Sequence, residues 1–313
     1  MADEVKFSIL DPFSAIDIGI ADWADGIKEW ATNNREAIQP VKNYLNDVII
    51  WMNDVLQALP PLITIACIAI ISLQFAGKKV TGIVVICLVA IGFLDPRAWD
   101  LTMTTLSIVV TSVLISAIIG LPLGILAGKS DRFEQLIRPI LDTMQTIPAF
   151  VYLVPVVMLV GIGNVSGVLV TIVFALPPLV RLTSLGIRQV NPSIVEAAKA
   201  FGASPSQILC KVELPLSAPS IMAGLNQTIM LALSMVVIAS MIAVKGLGNE
   251  VLRAMGRLDA GKAIVGGAGI VLLAIVLDRI TESFGLSKRE KGVRHWWESG
   301  PIGLFYNQYK KLN

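Results

Sequence analysis

A glycine-lysine stretch near position 128 comes closest in this sequence to a motif with catalytic chemistry. Residues 124–130 imitate a phosphate-binding loop, in which glycine backbone amides wrap a nucleotide's phosphates and a lysine neutralises them. That motif needs four residues between its glycines, whereas three separate Gly124 from Gly128. We therefore expect no nucleotide site here. Gly120, Gly124 and Gly128 recur every four residues and instead predict a face on which a second helix packs closely.

Groups suited to nucleophilic or metal chemistry are scarce. The single histidine, His295, lies in a basic tail beside tryptophans, and Cys67, Cys87 and Cys210 have no spacing typical of a zinc site. No Ser–His–Asp arrangement is indicated. We expect no catalytic residue, no metal site and no cofactor on this chain, and therefore no enzyme.

Polar side chains inside two strongly apolar segments are more informative, because polar groups are costly within a bilayer. The candidates are Asp142, Thr143, Gln145, Thr146 and Pro148 in segment 139–161, and Asn226, Gln227 and Ser234 in segment 219–244. Two interpretations stay open. Either these helices line a substrate pathway, or their polar groups form hydrogen bonds between helices without contacting substrate.

The composition shows what kind of scaffold must position these groups. Of the 313 residues, 55% are hydrophobic and 15% are charged, and the mean hydropathy is +0.73. A soluble domain carries about 25% charged residues, so this chain has too little polar surface to stay in water. The net charge of +2 gives no indication of nucleic-acid binding. The sequence therefore predicts an integral membrane protein in contact with lipid.

Seven apolar segments predict the architecture. They span residues 60–76, 80–94, 101–127, 139–161, 165–187, 219–244 and 264–280. Crossing the hydrocarbon core takes about 20 helical residues, and backbone groups in lipid must be satisfied internally, so we expect helices. The first two segments are short and form a hairpin, so they either both cross or both dip in. The predicted fold is an all-α, polytopic transmembrane helical bundle.

The ends of the chain differ from its middle. Residues 1–58 hold ten acidic and four basic residues, and are expected to form an acidic extracytoplasmic tail. Its second half predicts an amphipathic helix lying on the membrane surface or packed against the spans. The residues of the predicted apolar stripe are Val41, Leu45, Val48, Met52, Val55 and Leu59. Residues 59–285 are expected to be the transmembrane domain, and residues 286–313 a cytoplasmic tail.

Lysine and arginine in the connections predict the orientation, because they are enriched on the cytoplasmic side. This rule places the N-terminus outside and the C-terminus in the cytoplasm. The connection at 245–262 does not follow this rule, since it would carry four basic residues on the extracytoplasmic side. Because this connection is rich in glycine, we expect it to be a structured extracytoplasmic element.

Residues 189–217 form a polar connection with strong helix-capping signals. Ser193 and Glu196 predict a capping box that starts a helix, and Gly202 predicts its left-handed end. Ser204 predicts the cap of a second helix, which Pro215 is expected to stop. The sequence therefore predicts a rigid helix–turn–helix that protrudes from the bundle, slim enough at its alanines to enter a groove on a partner.

The spacing within this connection resembles the EAA loop of ABC importer permeases. It reads Glu196-Ala197-Ala198, Gly202 and Val212-Glu213-Leu214-Pro215, with valine in place of the usual isoleucine. Further stretches at 142–155, 161–164, 174–178 and 226–243 are similar to the glycine betaine/proline betaine permease family. We call residues 189–217 the EAA-like loop. The residues to which the resemblance and the caps assign ATPase coupling are Ser193, Glu196, Ala197, Ala198, Gly202, Ser204, Leu214 and Pro215.

The resemblance implies a type I ABC importer permease of a bacterial cytoplasmic (inner) membrane, which passes small osmolytes such as glycine betaine inward. It implies a homodimer, two cytoplasmic ATPase subunits that bind ATP and Mg, and an extracytoplasmic substrate-binding protein. Trimethylamine N-oxide, choline or a sulfonium osmolyte remain alternative substrates. An ion-coupled secondary carrier is a more distant alternative, which would need membrane-embedded ion sites and no docking loop. A membrane enzyme is disfavoured by the missing catalytic groups.

Overall fold

The computed structural model describes residues 35–285 and six residues before them (22, 25, 26, 29, 30 and 33). All regular secondary structure in this part of the chain is helical. The helices are α1 (Arg35–Ala58), α2 (Pro61–Phe75), α3 (Gly77–Leu94), α4 (Ala98–Lys129), α5 (Asp131–Thr146), α6 (Leu153–Val160), α7 (Asn164–Arg188), α8 (Pro192–Ala200), α9 (Pro205–Ile208), α10 (Leu214–Ala239), α11 (Leu247–Arg257) and α12 (Ala260–Gly285). The predicted tail at 286–313 and most of residues 1–34 lie outside the described residues.

The number of spans agrees with the sequence. Five helices in the described part are long and apolar enough to cross a membrane, and two bent helix pairs raise the total to as many as seven. The bent pairs are α1 with α2, at 101°, and α5 with Ala149–Val160, at 102°. The predicted all-α, polytopic bundle of about seven segments is confirmed.

Segment 139–161 is not the continuous helix that its apolar run suggests. It breaks after Thr146, where Ile147 and Pro148 are extended, and a 3₁₀ turn at Ala149–Tyr152 leads into α6. Proline cannot donate a helical hydrogen bond, and it disfavours helical backbone in the residue before it. Pro148 therefore divides the segment into two helices that point in different directions.

The apolar face of α1 is rotated from the predicted stripe. Ile49 is buried, and Leu45 and Leu56 pack against the same core, whereas Val41 and Val55 are 59% and 44% exposed. Because α1 has adjacent apolar pairs at 49–50 and 55–56, steps of three and four can follow either of two neighbouring rows. The row that packs within the bundle runs through Ile49, and Val41, Val55 and Leu59 of the predicted stripe are exposed on the surface of the bundle.

The core of the bundle is α7, which packs against α4 on one side and α10 on the other. The predicted glycine face of α4 is confirmed. A Cβ added at Gly120, Gly124 or Gly128 would lie 3.0, 2.5 or 3.0 Å from a side-chain atom of α7. The backbones of α4 and α7 therefore approach so closely that a side chain larger than hydrogen would not fit at these positions without a shift.

The two ends of the bundle are built differently. At one end, α11 folds over α4, and the amide of Leu247 donates to the hydroxyl of Thr105 at 2.9 Å. The expectation that residues 245–262 form a structured element is therefore confirmed. At the other end, which carries the EAA-like loop, α2 and α3 meet in the predicted hairpin at Gly77 (φ 80°). There the rings of Phe75 and Phe284 lie 4.7 Å apart, so that α2 and α12 end together.

Candidate functional site

The EAA-like loop begins with a cap different from the predicted one. The side chain of Asn191 accepts a hydrogen bond from the amide of Ser193 at 3.0 Å, and Pro192 is the first residue of α8. The predicted capping box of Ser193 with Glu196 was wrong. Asparagine is as good a cap as serine, and proline is favoured directly after it, so the helix starts earlier. Ser193 and Glu196 both lie exposed on α8.

The turn between α8 and α9 follows the prediction. Gly202 adopts a left-handed conformation, with φ at 79°. The amide of Ala203 reaches back to the carbonyl of Ala198 at 3.1 Å, which closes the end of α8. Ser204 and Gln207 form a reciprocal capping box at the start of α9. The two short helices are therefore held in a fixed angle by their own caps.

Pro215 does not end the second helix. Helix α9 continues through a π turn at Leu209–Glu213 into α10, and the helical stretch runs from Pro205 to Ile242. Leu214 and Pro215 form the first turn of α10. A proline ring crowds the carbonyl four residues before it, and the wider π turn accommodates that ring. The EAA-like loop is thus a direct extension of a membrane helix.

The outer face of the loop presents small residues and one aromatic ring. Glu196 and Ala197 are exposed and Ala198 is half-buried, so α8 is slim, as expected. Phe201, at the tip, is 92% exposed. Sequence reasoning missed this residue, although a phenylalanine directly before the turn glycine was a usable signal. Exposed aromatic rings of this kind are typical anchors in protein interfaces.

The base of the loop is fastened to α4 by an ion pair that the sequence did not reveal. The amine of Lys129 lies 2.5 and 2.6 Å from the two carboxylate oxygens of Glu213. The side chain of Glu213 is 7% exposed, whereas that of Lys129 is 42% exposed. Glu213 is the last residue of the π turn, so the ion pair joins the base of the loop directly to the end of α4.

A second ion-pair cluster joins α7 to the start of α5. The guanidinium of Arg188 donates to Asp131 at 2.6 Å and to the carbonyl of Ala127 at 2.7 Å. It also lies 2.9 Å from Glu134. This cluster holds the turn between α4 and α5 against the end of α7, next to the EAA-like loop.

The candidate pathway residues on α5 lie beside α7. Asp142 forms an ion pair with Arg181, and both side chains are about half exposed. Thr143 is exposed and donates to the carbonyl of Pro139 at 2.8 Å. The carbonyl of Thr143 accepts from Tyr152 at 3.2 Å, across the break at Pro148.

The other two polar residues of this helix are Gln145, which is half-buried, and Thr146, which is exposed. The hydroxyl of Thr146 donates to the carbonyl of Thr143 at 3.2 Å. This bond lies within the last turn of α5, so it satisfies the hydroxyl without joining α5 to another helix.

The candidate residues on α10 are divided between two roles. The amide of Asn226 donates to Asp278 at 3.0 Å and accepts from the hydroxyl of Thr281 at 2.7 Å, both on α12. This geometry favours hydrogen bonding between helices for Asn226. Gln227 and Ser234 are exposed, and Ser234 donates to a carbonyl of its own helix. The side chains of Asp142 and Asn226 bond to different helices, so these two residues do not join the two predicted sets into one cluster.

Comparisons with known proteins identify the family. Residues 120–289 match the binding-protein-dependent transport system inner membrane components. The chain is 51% identical over 306 residues to the glycine betaine/proline betaine transport system permease protein ProW of Escherichia coli (strain K12), covering 97% of this chain and 86% of that protein. It is 45% identical over 271 residues to the glycine betaine/carnitine transport permease protein GbuB of Listeria monocytogenes serotype 1/2a (strain 10403S), covering 85% of this chain and 95% of the relative.

The fold is shared with a solved transporter. The inward-facing MetNI methionine ABC transporter matches with a TM-score of 0.53 over 61% of this chain and 98% of its own chain, at 22% identity. The shared fold agrees with the predicted type I importer permease architecture, and the sequence matches confirm the resemblance found in the loop. The chain therefore belongs to the binding-protein-dependent transport system inner membrane components, and within them to the glycine betaine/proline betaine permeases.

Proposed function

We propose that this chain is the membrane-spanning permease subunit of an ATP-driven importer for glycine betaine, proline betaine and similar osmolytes. The chain covers 86% and 95% of two relatives whose names both include glycine betaine. This favours a betaine over trimethylamine N-oxide, choline or a sulfonium compound. A separate binding protein outside the membrane would select the substrate and deliver it to the permease.

The observation that carries the proposal is the construction of the EAA-like loop. It is rigid, since α8 is capped by Asn191 and α9 by Ser204, and its tip exposes Phe201. Its base continues into α10 and is tied to α4 by Lys129 and Glu213. A rigid lever with an apolar tip fits a socket on a soluble subunit, and it would transmit a displacement to two membrane helices at once.

The proposed assembly is a homodimer with two cytoplasmic ATPase subunits, which bind ATP and Mg. The EAA-like loop and residues 286–313 face the cytoplasm, and residues 1–58 and α11 face outward. ATP binding closes the ATPase pair, pushes both loops, and switches the cavity between the permease chains from inward- to outward-facing. Coupling of this kind needs a two-state element that both sites bias.

Reconstitution in liposomes tests the function directly. The complex of this chain with its ATPase and binding protein should take up labelled glycine betaine only when ATP is enclosed with the ATPase. Uptake driven by an ion gradient in the absence of ATP would instead show a secondary carrier.

A substitution at the loop tip tests the docking surface. Phe201→Ala should reduce the amount of ATPase that co-purifies by about tenfold or more, the loss typical of an interface anchor. The matched control is Leu258→Ala, because Leu258 is equally exposed (93%) at the opposite end of the bundle. Equal ATPase retention by both variants would contradict docking through this tip.

A further inference from the structure

A cavity of about 280 Å³ lies between α5 and α7, beside the end of α4. Its charged lining consists of Glu134, Arg138, Asp142, Arg181 and Arg188. Its apolar wall includes Ile137, Leu141 and Val180. Ligand sites are typically concave and largely apolar, with a few convergent polar groups, and drug-sized ligands need about 300–1,000 Å³. This cavity has that character at a size suited to a small metabolite.

The charges of the cavity are of both signs and within reach of a ligand. Asp142 and Arg181 pair with each other, but their side chains are 51% and 42% exposed. Arg138 is exposed and takes part in no ion pair with the described side chains. The lining therefore offers one unmatched guanidinium and one ion pair that a ligand can open.

A buried hydroxyl in the same lining lacks a partner. Ser184 is 4% exposed, and its hydroxyl forms no hydrogen bond within the described part of the chain. Serine in a helix commonly bonds to a carbonyl of the preceding turn, and leaving a buried polar group unpaired is unfavourable. Because Ser184 lines this cavity, a polar ligand atom there would satisfy it.

We propose that this cavity is a binding subsite for a zwitterion with a carboxylate and a quaternary ammonium group. The inference rests on the proposed function and names a substrate site within the permease itself. Arg181 and Arg138 would hold the carboxylate, and Ser184 would donate a further hydrogen bond to it. The ammonium group would lie near Asp142, with its methyl groups against the apolar wall.

The ion pair of Asp142 and Arg181 explains why a zwitterion is preferred over a single charge. The pair is half exposed, so opening it costs little, and each of its two charges can then bind a ligand group. A zwitterion supplies both partners, whereas a cation such as choline would leave Arg181 unmatched and an anion would leave Asp142 unmatched. None of the residues lining the cavity is aromatic, so the ammonium group must be recognised by carboxylate rather than by an aromatic cage. The site therefore discriminates by leaving the wrong ligand with an unpaired protein charge.

Direct binding to the permease–ATPase complex, in detergent and without the binding protein, tests the subsite. Labelled glycine betaine should bind, and choline should compete at least about tenfold less well, because a charge-assisted hydrogen bond contributes about a factor of ten or more. Arg181→Gln should weaken binding by about tenfold to a hundredfold. Ser184→Ala should weaken it less, in the same direction.

A matched control separates this site from a general charge effect. Arg279→Gln removes a similar, half-exposed guanidinium from its pair with Glu282, outside the cavity lining. It should leave binding unchanged. All three variant complexes should elute as a single peak at the wild-type position in size-exclusion chromatography, which shows that they fold and assemble.

The outcomes distinguish the subsite from the proposed function. Suppose that liposomes carrying the wild-type complex take up glycine betaine with ATP, but the Arg181→Gln complex binds glycine betaine as well as the Arg279→Gln complex does. The subsite is then refuted while the function stands. If choline competes as well as betaine, the zwitterion assignment is refuted. If betaine binding changes only with the anionic lipid content of the micelles, the cavity is a lipid site instead. If the wild-type complex takes up no betaine with ATP, the proposed function fails.

Discussion

Removing the amine of Lys129 should destabilise the permease by an amount that its geometry predicts. The carboxylate of Glu213 is 7% exposed and is held by Lys129 at 2.5 and 2.6 Å. Lys129→Met keeps the length of the side chain but leaves this carboxylate without its cation. Since Glu213 belongs to the π turn that carries the EAA-like loop, the loss should appear both in stability and in transport.

The magnitude follows from the unequal burial of the two partners. Removing one partner of a fully buried ion pair costs about 3–5 kcal/mol, whereas an exposed pair contributes about 0–1 kcal/mol. Lys129 is 42% exposed, so water can approach the site and replace part of the interaction. We expect Lys129→Met to lower the free energy of unfolding by about 1–2 kcal/mol, between these limits.

A double-mutant cycle isolates the pair. Glu213→Gln should cost less than Lys129→Met, because the freed amine of Lys129 can turn to water. The double variant should be close to the single Glu213→Gln variant, which gives a coupling energy of about 1 kcal/mol or more. The assay is reversible unfolding of the purified permease in mixed micelles, followed by tryptophan fluorescence.

Transport and a control pair complete this test. ATP-driven betaine uptake per complex should fall in Lys129→Met while basal ATP hydrolysis persists, since the loop can still dock but pulls less on α4. Arg279→Met breaks an exposed i,i+3 pair with Glu282 and should cost no more than about 0.5 kcal/mol. A coupling energy near zero, or equal losses in Lys129→Met and Arg279→Met, would refute the reasoning.

Three further substitutions test the packing and the loop. Gly124→Ala places a Cβ 2.5 Å from the facing threonine of α7 and should lower the stability of the permease in thermal unfolding by about 1–3 kcal/mol. Gly92→Ala is the control, because nothing lies within 4 Å of a Cβ added there. An equal loss of stability in both variants would contradict close packing at Gly124. Gly202→Ala forces alanine to a φ of 79° at a cost of about 1–2 kcal/mol, and should reduce uptake; unchanged uptake would show that the turn is adaptable. Asn191→Ala removes a cap worth about 1 kcal/mol and should speed hydrogen exchange in α8, whereas Ser193→Ala should not; the reverse order would restore the Ser193 cap.

The sequence was sufficient for features that depend on local chemistry. The spans follow from apolar length, and the glycine face of α4 follows from small residues at four-residue spacing. Gly202 and Ser204 behaved as predicted, since a turn glycine and a cap serine act on their own neighbours. These signals need no knowledge of distant contacts, which is why they could be identified first.

Features that depend on distant contacts were missed or assigned wrongly. The partners Lys129 and Glu213 are 84 residues apart, and Asp142 and Arg181 are 39 apart, so no periodicity joins them. Pro148 divides its apolar segment into two helices, whereas the helix continues through Pro215. The same residue type had opposite effects because a π turn precedes Pro215, whereas Ile147, directly before Pro148, is extended.

The contacts of the described helices divide them into a tightly packed group and a helix that is held less extensively. The EAA-like loop is tied to α4 through Glu213, α4 is locked to α7 by its glycines, and α7 packs against α10. Close packing of this kind resists relative movement of these helices. Helix α5 is held to α7 by Arg188 and by the ion pair of Asp142 and Arg181, and its Leu141 reaches the buried core.

We propose that a switch between conformations opens the boundary between α5 and α7 at the ion pair of Asp142 and Arg181, because this pair is half exposed and opening it costs little. Arg188, next to the turn at Ser130, would act as the pivot, and the gap would widen towards Asp142. A zwitterion that opens the ion pair and a loop that pulls on α4 would then bias the same equilibrium. By linkage, each should strengthen the other: betaine bound at Arg181 should raise the affinity of the permease for its ATPase by the same factor by which the ATPase raises its affinity for betaine.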